Sequence, residues 1–417
     1  MDLILLFLGI CFLILRRDAA VLAVIVFLAS TYFQIALLSK ETFLFPHNVS
    51  DSGLFLYICF FCKIWRNHKL KIDGGLQKCV IALLAFIVIN GIYDIALGTS
   101  VADVVKYVRS YSYLTLVFIY PYIRKETSLN SLKIAYYMAM FICILQLFQR
   151  FTGLELIELR VDEGRGTKPI SYSIFCSAIV LINLWNHNVI KRCLHLAIFL
   201  LPILLSLKMT YAISVILIYV IYLFSSPIMT FRTKCVVAGA VFFVAMAFLS
   251  ISKDFTERLI GMTQETSSIS QGESEGNFSF RILHAAERLN YILGNANTTI
   301  RGMGYVSEQN YNKNTFTIGT WNREENRIDQ LITGDIAWSV FFVRLGLGGL
   351  FIYLFFYVTL ICTYYRRIHL KQTIKDRKLA IYTYSMLVTF LVFTSLGNSL
   401  IAGSDFFIYP FLFLQDN

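Results

Sequence analysis

The feature that most constrains this chain is a series of apolar segments, each roughly 15–20 residues long, that recurs along the whole sequence. Hydrophobic residues make up 57% of the chain, whereas a soluble domain has roughly 45–50%. A backbone inside lipid must satisfy its own hydrogen bonds, and a helix of this length does so while it crosses the hydrocarbon. We therefore predict an all-α polytopic integral membrane protein with about 12 or 13 transmembrane helices.

One long polar stretch interrupts this series and divides the chain into three parts. Residues 1–252 are filled with apolar segments, residues 253–334 lack a segment apolar enough to span, and residues 335–417 are again apolar. The sequence therefore predicts an N-terminal bundle of about ten spans, one large extracytoplasmic loop, and a C-terminal group of transmembrane helices.

The positions of the basic residues predict how these spans are oriented. The net charge is +11, and twenty of the 37 Lys and Arg residues fall in six short segments between spans. These segments are residues 16–17, 63–78, 124–133, 191–192, 232–234 and 366–378. Because loops rich in Lys and Arg stay in the cytoplasm, the long loop should face outward. The positive charge thus reflects topology, and we expect no nucleic-acid partner.

Two predicted spans and a terminal apolar segment have unusual features. Residues 104–123 and the terminal residues 402–414 each form one apolar segment. A helix over residues 335–364 would be about 45 Å long, more than the hydrocarbon needs. Arg344 and the run Gly346, Gly348, Gly349 interrupt its first third. We expect either a helix that starts above the membrane or a half-helix that precedes the true span.

The long loop contains a predicted amphipathic helix around residues 278–293. At about 100° per residue, six apolar residues share one side of this helix. They are Ile282, Ala285, Ala286, Leu289, Ile292 and Leu293. Arg281, His284 and Arg288 form a basic edge beside that side. Two interpretations of His284 stay open: a general base kept neutral by its cationic neighbours, and a histidine exposed on the helix surface.

Arginines on the outer side oppose the usual charge bias, so they need a reason. The outer arginines that we single out are Arg160, Arg165, Arg281, Arg288 and Arg301. A guanidinium group binds two phosphate oxygens at once, which suits a pyrophosphate carried on a lipid. Solvated loop charge, together with contact to anionic membrane lipid, is the alternative.

The turn Arg301-Gly302-Met303-Gly304-Tyr305 follows the loop helix. Its two glycines permit positive φ angles and are typical of a helix end. The turn is not a dinucleotide-binding fingerprint, because no strand precedes it and the third glycine is missing.

Acidic residues offer two further candidates. Asp335, which heads the helix containing Trp338, is both an N-cap candidate and a candidate catalytic group. Asp94, inside a predicted span, should pair with Lys106 or Arg109, as intramembrane charges usually do. No His, Cys or Asp cluster has metal-ligand spacing and no nucleophile elbow is present, so we expect chemistry without a metal or cofactor.

Three pieces of the chain together resemble the O-antigen polymerase and ligase superfamily of bacterial envelope proteins. They are Gly164-Arg165-Gly166-Thr167-Lys168-Pro169, then Phe280-Arg281 through Arg301-Gly302-Met303-Gly304, then Asp335 through Trp338 with Arg344-Leu345-Gly346-Leu347-Gly348-Gly349. They resemble the family's outer-loop arginine, its large-loop helix closed by Gly-x-Gly, and its glycine-rich entry into the next span. Ligases of this superfamily typically carry a histidine where the chain re-enters the membrane. This chain has Asp335 there, which favours a polymerase.

The resemblance implies a multi-pass glycosyltransferase of the bacterial inner membrane, with its large loop in the periplasm. Such an enzyme polymerises undecaprenyl-pyrophosphate-linked oligosaccharide repeat units into O-antigen or a capsular or exopolysaccharide. It also implies a chain-length regulator protein as a partner. Two alternatives stay open: an O-antigen ligase that transfers polysaccharide to lipid A–core, and a flippase or other transporter of lipid-linked oligosaccharide.

The resemblance also suggests roles for the candidate residues. Arg281 would stabilise the departing pyrophosphate, and Asp335 or His284 would activate or orient the acceptor hydroxyl. Trp338 would stack on a sugar ring. The remaining substrate-binding candidates are Arg160, Arg165, Arg288, Arg301, Gly302 and Gly304.

Overall fold

The structure is a computed structural model that describes most, but not all, of the chain. The described residues are 2–29, 49–69, 72, 74–154, 177–182, 188–205, 209–226, 230–232, 234–235, 239, 277–305, 316, 319–322, 327–330, 337–370, 373–393 and 404–415. These residues are mainly helical, as predicted, and most of their buried apolar side chains form one continuous core.

The helices up to residue 152 are α1 (Asp2–Ile14), α2 (Asp18–Ala29), α3 (Val49–Asn67), α4 (Gly75–Ala96), α5 (Val101–Val108), α6 (Leu116–Ile119) and α7 (Lys125–Thr152). Those that follow are α8 (Val189–Leu205), α9 (Met209–Ser225), α10 (Asn277–Leu293), α11 (Ala296–Arg301), α12 (Ala337–His369), α13 (Ile374–Phe393) and α14 (Ile408–Leu412). Helix α12 is central, because it packs against α4, α10, α11 and α13.

Three described helices are long and apolar enough to cross a membrane, by length and composition: Gly75–Ala96, Lys125–Thr152 and Trp338–His369. Shorter apolar helices span Leu3–Ile14, Asp18–Ala29 and Ile213–Ser225. The chain is therefore a helical membrane protein. Its described part contains fewer full-length spans than the sequence predicts.

A two-stranded antiparallel sheet lies in the predicted long loop and departs from the all-helical expectation. Strands β1 (Gly319–Asn322) and β2 (Arg327–Gln330) pair so that Trp321 lies opposite Ile328. Each strand contains a single large apolar residue, Trp321 or Ile328, so no alternating apolar pattern predicts either strand.

The segment predicted as a span over residues 104–123 does not form one continuous α-helix. Helices α5 and α6 are separated by a 3₁₀ helix at Arg109–Thr115, and a second 3₁₀ helix follows at Tyr120–Tyr122. Hydroxyl groups compete with the helical backbone here: Ser110 donates to the Tyr107 carbonyl and Thr115 to the Ser112 carbonyl, both at 2.6 Å. We call residues 101–122 the broken segment.

The terminal apolar stretch is not a span. It forms a 3₁₀ helix at Ser404–Phe407 and the five-residue α14, which is about 8 Å long and too short to cross a membrane. Protein buries it: the Tyr113 backbone N–H donates to the Ser404 hydroxyl at 3.2 Å, and Leu412 is fully buried. An apolar sequence alone does not say whether lipid or protein covers it.

Helix α12 matches the expectation of a half-helix before a longer helix. Its axis is interrupted at Gly346, which has the non-helical angles φ 66° and ψ −172°. Nine residues precede this kink, from Ala337 to Leu345, and the longer part runs on to His369. The loop helices α10 and α11 contact α12. At the kink, Gly346 lies against Ile300 of α11 and against Gly302.

Candidate functional site

The candidate site is the place where loop helices α10 and α11 pack against α12 and α4. We call it the loop junction: residues 277–305, the end of α4 at residues 87–96, and α12 residues 338–350. A second, smaller apolar core holds it together, made of Ile292, Phe316, Phe342 and Val343. Trp338 is partly buried, packs on this core, and has its ring 6.1 Å from that of Phe341.

The structure corrects the predicted faces of α10. His284 and Arg288 are each 1% exposed and Ile292 is fully buried, whereas Ala286 and Leu293 are exposed. His284, Arg288 and Ile292 follow one another at intervals of four residues, so they lie on one face of the helix. This face is buried, and the two basic residues therefore do not form an edge beside the buried side. The predicted faces are wrong because the most apolar side of α10 was expected to be the buried side, and part of that side is exposed.

Arg288 is buried because an aromatic ring covers it. Its guanidinium carbon lies 3.7 Å from the centroid of the Phe316 ring, and one of its nitrogens donates to the neighbouring Glu287 carboxylate. A guanidinium is more weakly hydrated than an ammonium group, and a ring stacked on its face attracts its charge, so an arginine is buried at a lower cost than a lysine. Phe316 lies 28 residues further along the chain, so the helical pattern did not reveal this cover.

His284 and Arg281 share the face of Arg288 and differ in exposure. His284 is buried, so the interpretation as an exposed surface histidine is wrong, and the general-base interpretation stays a prediction. Arg281 is partly buried, and no described carboxylate lies within 4 Å of its guanidinium.

Asp94 anchors the loop to α4. Its carboxylate is 1% exposed and binds Arg301, with Nη1 and Oδ1 2.8 Å apart, and Arg301 also lies 4.2 Å above the Tyr93 ring. The predicted pairing of Asp94 with Lys106 or Arg109 is wrong: Arg109 pairs with Asp51 at 2.5 Å. Asp94 and Arg301 are 207 residues apart in sequence. A rule based on near neighbours therefore misses their pairing.

The Gly-x-Gly turn wraps around this carboxylate. The backbone N–H of Tyr305 donates to Asp94 Oδ2 at 2.7 Å, and its hydroxyl donates to the Ile87 carbonyl at 3.1 Å. Gly304 has φ +81°, and a Cβ there would lie 2.3 Å from Asp94 Oδ2. Glycine is required at this position because both the backbone angle and the carboxylate exclude a side chain.

The same turn fits into the kink of α12. The Met303 backbone N–H donates to the Val343 carbonyl at 2.6 Å. Gly302 (φ +75°) and Gly346 (φ +66°) meet backbone to backbone: a Cβ on Gly346 would lie 2.5 Å from the Gly302 nitrogen. The glycines thus join the loop to α12 through close backbone packing. Whether Arg301, Gly302 and Gly304 also contact substrate, as predicted, stays a prediction.

Arg344 also lies at this contact, although the sequence pattern does not assign it to the site. Its guanidinium carbon lies 4.1 Å from the centroid of the Tyr107 ring, on the broken segment. Tyr107 in turn stacks on Tyr305 with centroids 6.0 Å apart and planes inclined by 23°. The signal in the sequence is an arginine two residues before Gly346, in a segment too apolar to hold a charge without a reason.

Three candidates lie outside the described residues: Arg160, Arg165 and Asp335. Their roles stay predictions. The described part of the chain contains no group of three His, Cys, Asp or Glu residues arranged to hold a metal ion.

Comparison with known proteins adds no family to this geometry. No protein-family model matches the chain, and no curated protein matches it either. The described part of the loop junction offers a set of aromatic-backed guanidinium groups, one buried histidine and two ion pairs, Arg288–Glu287 and Arg301–Asp94. Such a set suits the binding and charge stabilisation of a phosphate-bearing substrate.

Proposed function

We propose that this protein is a glycosyltransferase that polymerises undecaprenyl-pyrophosphate-linked oligosaccharide repeat units into O-antigen or a capsular or exopolysaccharide. The observation that carries the proposal is the placement of the basic residues of α10: His284 and Arg288 are buried in the loop junction, and Arg281 is partly buried on the same helix face. A buried cation costs several kcal/mol unless it is compensated, and such groups cluster at functional sites.

The reaction needs few groups from the protein. The donor sugar leaves from a pyrophosphate, so the enzyme stabilises the negative charge of the departing group and activates one acceptor hydroxyl. Guanidinium groups perform the first task by binding phosphate oxygens in pairs, and no metal is required for it. Arg281 and Arg288 supply this charge from the described residues, and Arg160 and Arg165 add to it.

The second task falls to His284 or Asp335. His284 is close in sequence to both arginines and shares their helix face, so a base there would lie beside the bound pyrophosphate. Trp338, partly buried at the start of α12, offers its ring to a sugar. Arg301, Gly302 and Gly304 hold the turn on Asp94 and α12, and so position the site.

The proposed setting is the bacterial inner membrane, with the loop junction on the periplasmic side. The basic segments between spans favour this orientation through the positive-inside rule. Lipid-linked repeat units would then be joined after they cross the membrane. A chain-length regulator would act as a partner, and membrane lipid would surround the spans.

The test is deletion of the gene in its own host, followed by size-resolved separation of surface polysaccharide. Wild type should restore a ladder of chain lengths, and Arg281→Ala should restore at most a single repeat unit on its acceptor. Arg66→Ala, an exposed arginine on α3 far from the loop junction in sequence, is the matched control and should restore the ladder.

Other outcomes would contradict the proposal in different ways. Loss of all attached glycan while long lipid-linked polymer accumulates would identify a ligase. Repeat units trapped on the cytoplasmic side would identify a flippase. A full ladder with Arg281→Ala would remove that arginine from the site.

A further inference from the structure

The three aromatic-backed arginines of the loop junction differ in how their charge is balanced. Arg301 has the Asp94 carboxylate at 2.8 Å, and Arg288 donates to Glu287. Arg344 has neither: within the described ranges no carboxylate lies within 4 Å of it and no group accepts a hydrogen bond from it. It is also partly buried, so water compensates its charge less well than at an open surface.

The position of Arg344 is fixed at both its backbone and its side chain. The preceding residue, Val343, accepts the Met303 N–H, and a Cβ on Gly302 would lie 2.8 Å from the Arg344 carbonyl carbon. The guanidinium rests on Tyr107, and Tyr107 stacks on Tyr305. An arginine that is held without using its own N–H donors is preorganised for another acceptor.

The geometry also indicates which kind of acceptor would fit. When a ring covers one face of a guanidinium, the N–H bonds still point outward in the plane of the group. Two oxygens of one phosphate match that edge, and a negative charge supplies the missing compensation.

We propose that Arg344 binds the diphosphate of a polyisoprenyl-linked substrate, with Tyr107 as a positioning residue that fixes the guanidinium plane. The inference rests on the proposed function, and it adds an anion-binding group from α12 to those from α10. Asp94 contributes indirectly, because it holds Tyr305 behind Tyr107.

The test measures binding of undecaprenyl pyrophosphate to the full-length protein in phosphatidylcholine nanodiscs. We expect Arg344→Ala to weaken binding by about 10- to 100-fold, the effect of losing charge-assisted hydrogen bonds. Arg344→Lys should recover part of the affinity, because it keeps the charge and loses the planar fork. Arg366→Ala is the matched control, since Arg366 lies exposed near the other end of the same helix, and it should bind like wild type.

The positioning role of Tyr107 has its own readout. Tyr107→Phe keeps the ring and should bind like wild type, whereas Tyr107→Leu should weaken binding by about 3-fold, the effect of one lost cation–π contact. Thermal stability of each variant, measured in the same nanodiscs, separates this effect from a loss of structure. Equal affinity of Tyr107→Leu and Tyr107→Phe would overturn the positioning role.

Two results would overturn the assignment of Arg344. One is unchanged affinity in Arg344→Ala. The other is displacement of the ligand by an equal amount of phosphatidylglycerol, which would make Arg344 a contact for ordinary anionic headgroups. The glycan ladder decides the proposed function separately. Arg344→Ala could lose lipid-pyrophosphate binding and still restore the full ladder. In that case Arg344 is an anion-binding residue that polymerisation does not need.

Discussion

Arg344 and Arg367 lie on the same helix, α12, and use their guanidinium groups in opposite ways. Arg367 donates to the carbonyl oxygens of Phe413 at 2.8 Å and Gln415 at 2.7 Å. These bonds attach the end of the terminal segment, residues 404–415, to α12. Arg344 rests on the Tyr107 ring, and no described residue accepts its hydrogen bonds. An arginine whose donors are used by the backbone stabilises the fold, whereas one that is held by a ring is available to a ligand.

The ion pair at the loop junction should behave like Arg367, and its loss should give the largest change in stability. Asp94→Ala leaves the partly buried Arg301 without its carboxylate and removes the acceptor of the Tyr305 N–H. Because the Arg301 side chain is 14% exposed and water reaches it in part, we expect the free energy of unfolding to fall by about 3 kcal/mol, the lower end of the range for a broken buried pair. Unfolding in detergent, followed by intrinsic fluorescence, measures it. In the double variant Asp94→Ala/Arg301→Ala the loss should be smaller than the sum of the single losses; strict additivity would show that the pair is not coupled.

Arg367→Ala should give the next largest loss of stability. Two buried carbonyl groups lose a charged donor, and each such bond contributes about 1.5–3 kcal/mol. We expect a total of about 2 kcal/mol after partial relaxation. Lipid-pyrophosphate binding by the folded fraction should not change. If the Arg367→Ala variant instead binds lipid pyrophosphate weakly and remains stable, then Arg367 is not the structural arginine and the distinction from Arg344 is wrong.

Gly346→Ala tests whether the setting of Arg344 depends on the kink in α12. A side chain there meets the Gly302 nitrogen and the Ile300 carbonyl at 2.5 Å, and the φ of +66° is strained for alanine. We expect a loss of about 1–3 kcal/mol together with weaker lipid-pyrophosphate binding. Gly75→Ala is the matched control, because nothing described lies within 4 Å of its added Cβ. Equal stability of the two variants would show that the backbone contact is not tight.

Arg344→Ala should have the smallest effect on stability. The variant loses one cation–π contact and no hydrogen bond to a described residue, so we expect a change under about 1 kcal/mol. Its lipid-pyrophosphate binding should nevertheless fall more than that of any variant above. A large loss of stability in Arg344→Ala would place it in the same structural class as Arg367.

The sequence predicted those parts of the fold that depend on local pattern. The sequence predicts long apolar helices, and α4 and α7 are such helices; the interruption of α12 follows from its glycine run. The broken segment and the terminal segment were not predicted. Their apolar content resembles that of spans, and what distinguishes them is hydrogen bonding and burial by distant parts of the chain.

The candidate site was predicted in composition and missed in arrangement. The basic residues of α10 and the Gly-x-Gly turn were singled out from spacing. However, the inward face of α10 depends on Phe316, and the partner of Asp94 depends on Arg301. Arg344 was passed over because its platform, Tyr107, lies on a different part of the chain. Long-range partners of this kind carry no signal in one sequence.

The most direct test of the central claim uses the purified protein and its own substrate. Lipid-linked repeat units, extracted from the host that lacks the gene, would be incubated with wild-type protein in nanodiscs, without nucleotide or metal. We expect a ladder of lipid-linked polymers and the release of one undecaprenyl pyrophosphate for each bond formed. The Arg344→Ala variant should produce neither the ladder nor the released undecaprenyl pyrophosphate. Repeat units that remain single with the wild-type protein, under conditions where it binds undecaprenyl pyrophosphate, would contradict the claim that this junction polymerises glycans.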